Sequence, residues 1–155
     1  MATAIATDRL ATRRKILMYL HDPADADTLQ SAKSGLTTTT WTAFKGYGSF
    51  QVAGMFKEGN SMILLAIYAA TSSAGANATE IKTSGAIVCD AEGDWAQLEC
   101  SAEEVNAAGK ALGYDFTHLV AYIDCGAATD EVAVVYILDD PLFKYDALTP
   151  ATTIA

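Results

Sequence analysis

Two histidines, three cysteines and a few carboxylate clusters are the places where this 155-residue chain could do chemistry. Nucleophilic catalysis needs a base beside Ser, Thr or Cys, oriented by an acid. His118 falls in a strand-like run on the same face as Phe116 and Val120, where a hydrogen-bonded core or interface histidine is expected. His21 adjoins an acidic loop, and no G-x-S-x-G sequence occurs. Two carboxylate sets could offer oxygen ligands: Asp22, Asp25 and Asp27, and Asp90, Glu92 and Asp94. The second set starts like a calcium loop, but Trp95 stands at the sixth position in place of Gly and Ser101 at the twelfth in place of Glu. Solvated turns are the better reading of both. Scattered thiols and two distant imidazoles do not make a zinc site. Asp139-Asp140 is too small a signal for glycosidase chemistry, and no Gly-rich phosphate loop is present. The expectation is a protein with no catalytic residue, no cofactor and no metal: not an enzyme.

The three cysteines, Cys89, Cys100 and Cys125, lie in or beside apolar runs, where a thiol serves as a small hydrophobe. Their odd number and the lack of C-x-x-C favour reduced thiols in a chain made inside the cell, with a Cys89–Cys100 bridge as the open alternative. The lone sequon Asn77-Ala78-Thr79 carries meaning only in a secreted chain.

The elements that would position these groups belong to one domain of ordinary size. At 51% hydrophobic and 19% charged, the chain can bury a core. Its longest apolar run, Met62 to Ala70, falls short of the roughly 20 residues a membrane span requires. No secretory signal is expected, because Asp8 and Arg9 interrupt the first apolar residues. The net charge of −9 divides unevenly: residues 1–15 carry +3, from Arg9, Arg13, Arg14 and Lys15 against Asp8, and the remainder carries −12. An acidic body repels phosphate, so direct nucleic-acid binding is not expected.

Residues 1–35 read as an N-terminal arm and linker, with the basic cluster, the apolar stretch Ile16-Leu17-Met18-Tyr19-Leu20 and a polar run around Pro23. Arg9, Arg13, Arg14, Lys15 and Ile16 to Leu20 are the candidate partner-binding residues, by charge-assisted bonds and groove filling. Residues 36–155 read as the body. Strands are expected at Trp41 to Phe44, through Phe50, Val52 and Phe56 by their two-residue period, at Met62 to Ala70, Glu80 to Lys82, Ala86 to Cys89, Trp95 to Cys100, Phe116 to Cys125 and Glu131 to Leu138. Met62 to Ala70 is apolar on both faces, as a central strand requires. Ser101 and Glu104 have capping-box spacing, and Gly109 and Gly113 limit the following helix to about two turns. Trp41 and Trp95 stand where strands begin beside apolar neighbours, so core packing is expected of both in preference to a sugar-stacking face. The tail from Asp139, with Pro141 and Pro150, should run extended. This pattern predicts a mostly β protein: an antiparallel β-sandwich, jelly-roll-like, with one short helix and an extended N-terminal arm.

Three stretches in order resemble small β-sandwich proteins associated with the heads of tailed bacteriophages, among them capsid decoration (cement) proteins. They are Trp41-Thr42-Ala43-Phe44-Lys45-Gly46-Tyr47-Gly48-Ser49-Phe50; then Ile67 to Gly75 and Gly93-Asp94-Trp95-Ala96-Gln97-Leu98-Glu99; then Tyr114 to Tyr136 with Asp140-Pro141. The resemblance spans residues 41–148. It implies a non-enzymatic virion protein, made in the host cytoplasm and located on the phage head. The implied partners are the major capsid protein and further copies of the chain, as in the trimers such proteins often form. A head–tail connector, a tail or fibre component, and a carbohydrate- or host-surface-binding module are the alternatives.

Overall fold

The computed structural model describes residues 15–21, 41–126 and 130–141. Among them are eight strands and one helix: β1 (Lys15–His21), β2 (Thr42–Ala43), β3 (Tyr47–Glu58), β4 (Met62–Ala70), β5 (Thr79–Thr83), β6 (Trp95–Ser101), α1 (Ala102–Leu112), β7 (His118–Cys125) and β8 (Glu131–Pro141). They make two four-stranded sheets, in the orders β1-β8-β3-β6 and β2-β7-β4-β5. Every pairing is antiparallel.

Side-chain alternation decides which face of each sheet is buried. In β3, Phe50, Val52 and Phe56 are buried, and in β8 so are Val132, Val134, Tyr136 and Leu138. Leu65, Ile67 and Ala69 of β4 and Leu119, Ala121 and Ile123 of β7 join them in one cluster. One core therefore draws its residues from both sheets. Gly54 belongs to the same inner row of β3; a Cβ there would stand 3.0 Å from the Met62 sulfur, so a larger residue would crowd the core.

Tyr136 ties the sheets together. Its ring meets Phe50 edge-on at 5.1 Å, and its hydroxyl accepts the Ala121 N–H across the core at 2.9 Å. The β2 ladder covers only His118 and Leu119 of β7, so it does not reach that amide. A buried N–H without a partner is costly, and the phenol supplies one.

Helix α1 begins as its sequence predicts. Glu104 N–H donates to Ser101 Oγ at 3.2 Å, and Ser101 N–H donates to the Glu104 carboxylate at 2.7 Å. It ends at Gly113, whose φ of 74° is left-handed. The expected length of two turns is corrected to 11 residues. Gly109 lies inside the helix, where a Cβ would fall 2.5 Å from the Tyr114 carbonyl oxygen. It serves the close return of the chain, not the end of the helix.

One further correction concerns a strand. Ala86 to Cys89 forms no strand: Cys89 makes an isolated bridge to Met62, and Ile87 N–H donates to the Ile63 carbonyl. Residues 15–21, within the expected arm, form β1, paired with β8 from Lys15↔Leu138 to His21↔Val132. Leu17 packs against the core while Ile16 is exposed. The rest of the expected arm, residues 1–14 and 22–35, lies outside the described residues, as do residues 36–40 of the expected body and the tail beyond Pro141.

Candidate assembly surface

Among the described residues, those singled out for chemistry do not converge on one site. His118 opens β7 opposite Ala43 and Ala70, half-buried, with its Nδ1 2.8 Å from Thr117 Oγ1. Asp94 Oδ2 accepts the Ala91 N–H at 3.1 Å, closing the turn expected for Asp90 to Asp94. Asp22, Asp25 and Asp27 lie outside the described residues. Among the described residues, no three His, Cys, Asp or Glu side chains converge as metal ligands, and no helix is long and apolar enough to cross a membrane.

All three cysteines are free. Burial pushes the Cys100 thiol up to about 12, with the Glu104 carboxylate adding to it. Burial also pushes Cys125 up to about 12, followed by the charges of Asp130 and Asp124. Thiols held protonated in this way are poor nucleophiles. A pocket of about 200 Å³ opens between the β2–β3 turn and α1, lined by Phe44, Lys45, Tyr47, Asn106, Asp115 and Phe116. Its two charged side chains, Lys45 and Asp115, lie 4.0 Å apart and are well exposed.

The surface with an unusual composition is the outer face of the sheet β1-β8-β3-β6. Alternation turns Gln51, Ala53 and Met55 of β3 outward, with Ala133, Val135 and Ile137 of β8. The register sets them in rows: Trp95–Met55–Ala133, Gln97–Ala53–Val135 and Glu99–Gln51–Ile137. β1 extends the last row with Ile16, opposite Ile137. Trp95 is 64% exposed, Ile16 54% and Met55 48%. Contiguous exposed apolar groups mark interaction surfaces, and on this face Trp95 and Met55 stand side by side. At one end of the face, the Lys57 ammonium pairs with the Glu131 carboxylate, and its pKa is raised by that partner.

The other sheet covers its own outer face in part. Trp41 packs on Ala70 and Val120 with Tyr68 and Ala78. Gly75, at φ +77°, lets the 71–78 loop close over the indole; a Cβ there would fall 2.6 Å from Trp41 Nε1. Tyr68 and Tyr122 meet edge-on at 5.9 Å, and the Tyr68 hydroxyl donates to Glu80. The expectation of core packing holds for Trp41. It fails for Trp95, whose strand position puts it on the outward side of β6 with Gln97 and Glu99.

Of the candidate partner-binding residues, Lys15, Ile16, Leu17, Met18, Tyr19 and Leu20 all lie on β1, at the edge of this sheet. Arg9, Arg13 and Arg14 lie outside the described residues. Met55 and Trp95 are additions. The signal for Trp95 was its alternation with two polar residues, which outweighs the general preference of tryptophan for cores. No protein-family model and no curated protein matches the chain.

Proposed function

We propose that this chain is a non-enzymatic structural protein of a virus particle: a capsid decoration (cement) protein that binds the head shell of a tailed phage and stabilises it. The observation that carries this reading is the strand order. With strands numbered along the chain, 1-8-3-6 over 2-7-4-5 is the order of an eight-stranded jelly-roll sandwich, an architecture used by viral capsid proteins. The exposed apolar face around Met55 and Trp95 adds a surface suited to a protein partner. The basic cluster Arg9, Arg13, Arg14 and Lys15, ahead of an acidic body, suits docking on carboxylates of the major capsid protein. A ligand of the assembled shell alone stabilises that shell by mass action, and many copies convert weak contacts into strong ones.

The experiment is co-sedimentation with purified capsid shells, followed by heating of the loaded shells. The expected outcome is saturable binding and a higher temperature of shell disruption. Replacing the four basic residues with Ser should weaken binding and flatten its salt dependence. Shells that neither bind the protein nor gain stability would overturn the reading. A second reading, a carbohydrate-binding module, is favoured by the exposure of Trp95 beside the polar Gln97 and Glu99. Glycan binding abolished by Trp95→Ala, with shell binding absent, would select it.

A further inference from the structure

We propose that the outer edge of β1 is a seam between two copies of this chain, paired antiparallel about a two-fold axis through Met18. The inference goes beyond the shell reading and needs no capsid.

It comes from comparing the four sheet edges. An edge strand offers unpaired N–H and C=O groups to any other strand, and natural edges are blunted by shortness, bulges, proline or charge. β2 has two residues. β5 has five, carries Glu80 and Lys82, and meets a register shift at Ile67/Tyr68 of β4. β6 carries exposed Glu99; self-pairing about Leu98 would bring two Glu99 carboxylates to diagonal positions across the seam. β1 is neither short, bulged nor proline-bearing, and its one fixed charge, Lys15, stands at its end. Its seven residues pair with β8 without a register shift, and between Lys15 and His21 it holds only Ile, Leu, Met, Tyr and Leu. Among the described residues, no strand pairs with its other side.

Self-pairing with full overlap sets Lys15 opposite His21, Ile16 opposite Leu20, Leu17 opposite Tyr19 and Met18 opposite itself. No acidic residue enters the seam, although each copy carries −9 overall. This is the charge argument for a second copy as the occupant: the edges β1 and β6 each offer seven residues, and of the two only β1 can meet its own copy without bringing carboxylates to opposed or diagonal positions. The product is one eight-stranded sheet, in which the outward residues Ile16, Ile137 and Val135 of the two copies form a continuous apolar face. Contacts of this kind are isologous and close at two subunits.

The test uses the full chain in solution. Sedimentation equilibrium should give a monomer–dimer equilibrium that tightens as salt screens the repulsion between two acidic copies. Met18→Cys places two thiols at directly opposed positions, with Cα atoms about 4.5–5.5 Å apart, within disulfide reach. It should form a covalent dimer under mild oxidation. Ile16→Cys places them four residues out of step, about 13 Å apart, and should not. Ile16→Glu should weaken the dimer at least tenfold while the thermal unfolding of dilute monomer stays unchanged, because Ile16 is half exposed. A monomer at every concentration, a trimer, or equal cross-linking of the two cysteine variants would overturn the proposal.

Discussion

Replacing Asp130 with Ala should destabilise the fold by about 3 kcal/mol, through the loss of two hydrogen bonds from a charged acceptor. Asp130 is fully buried. One carboxylate oxygen accepts the Asn60 N–H at 2.5 Å and the other accepts the Ser61 N–H at 3.2 Å. The β3–β4 turn is shaped around it: Gly59 has φ +114°, and a Cβ there would fall 2.1 Å from Asp130 Oδ1. Gly126, at the end of β7, donates its N–H to the Ser61 carbonyl at 2.8 Å, so one carboxylate holds the connections of both sheets at this end. Alanine removes both acceptors and leaves two backbone amides short of partners. Each is worth roughly 1.5 kcal/mol when the acceptor is charged. For a domain of this size the melting temperature should fall by roughly 6–12 °C. Asp130→Asn should lose about half as much, because an amide keeps one acceptor oxygen and turns an NH2 toward the other N–H. Gly59→Ala should be destabilising too, both from its positive φ and from its contact with the carboxylate. Urea unfolding followed by circular dichroism reads all three. An Asp130→Ala variant within about 0.5 kcal/mol of the parent, the usual range for surface substitutions, would refute the reasoning.

Three other perturbations test the structure elsewhere. Tyr136→Phe should cost about 1–2 kcal/mol in urea unfolding, since it leaves the Ala121 N–H in the core without its phenol acceptor. Ser101→Ala should cost about 1 kcal/mol at neutral pH by removing the helix cap. The Glu104 carboxyl of that cap lies below its usual value because the Ser101 N–H and then the Lys82 ammonium hold its ionised form. Its contribution is therefore complete above the unfolded value near 4.5 and is lost as acid protonates the folded carboxylate, so the stability difference between the parent and a Glu104→Gln variant should be full at neutral pH and shrink as the pH falls below that value. Finally, a thiol reagent at pH 8 should leave Cys100 unmodified until the protein unfolds, since burial keeps its thiol protonated to about pH 12; rapid labelling of native Cys100 would contradict its place in the core.

The sheets were legible where alternation is strict. Phe50, Val52 and Phe56 in β3, and Val132, Val134, Tyr136 and Leu138 in β8, mark the core face without any structure. The capping box marked the start of α1 because both of its hydrogen bonds are local. β1 was harder. Its residues are apolar at outward and inward positions alike, and its partner β8 lies more than a hundred residues further along, so no local signal announces the pairing. Ala86 to Cys89 has strand composition, but only Met62 offers it a bridge. Gly109 looked like a helix stop because its real purpose, room for the Tyr114 carbonyl, is a tertiary contact. Of the candidate surface, the sequence offered the basic cluster and Ile16 to Leu20. It did not offer the Met55–Trp95 pair, which exists only through the β3–β6 register.

The most direct test of the assembly role is the number of copies of this chain in the purified virus particle, measured by quantitative mass spectrometry against the major capsid protein. A decoration protein repeats with the shell lattice, so the account predicts hundreds of copies per particle, all in the head fraction. A dozen copies or fewer would place the chain at a connector or tail, and its absence from the particle would contradict the account outright.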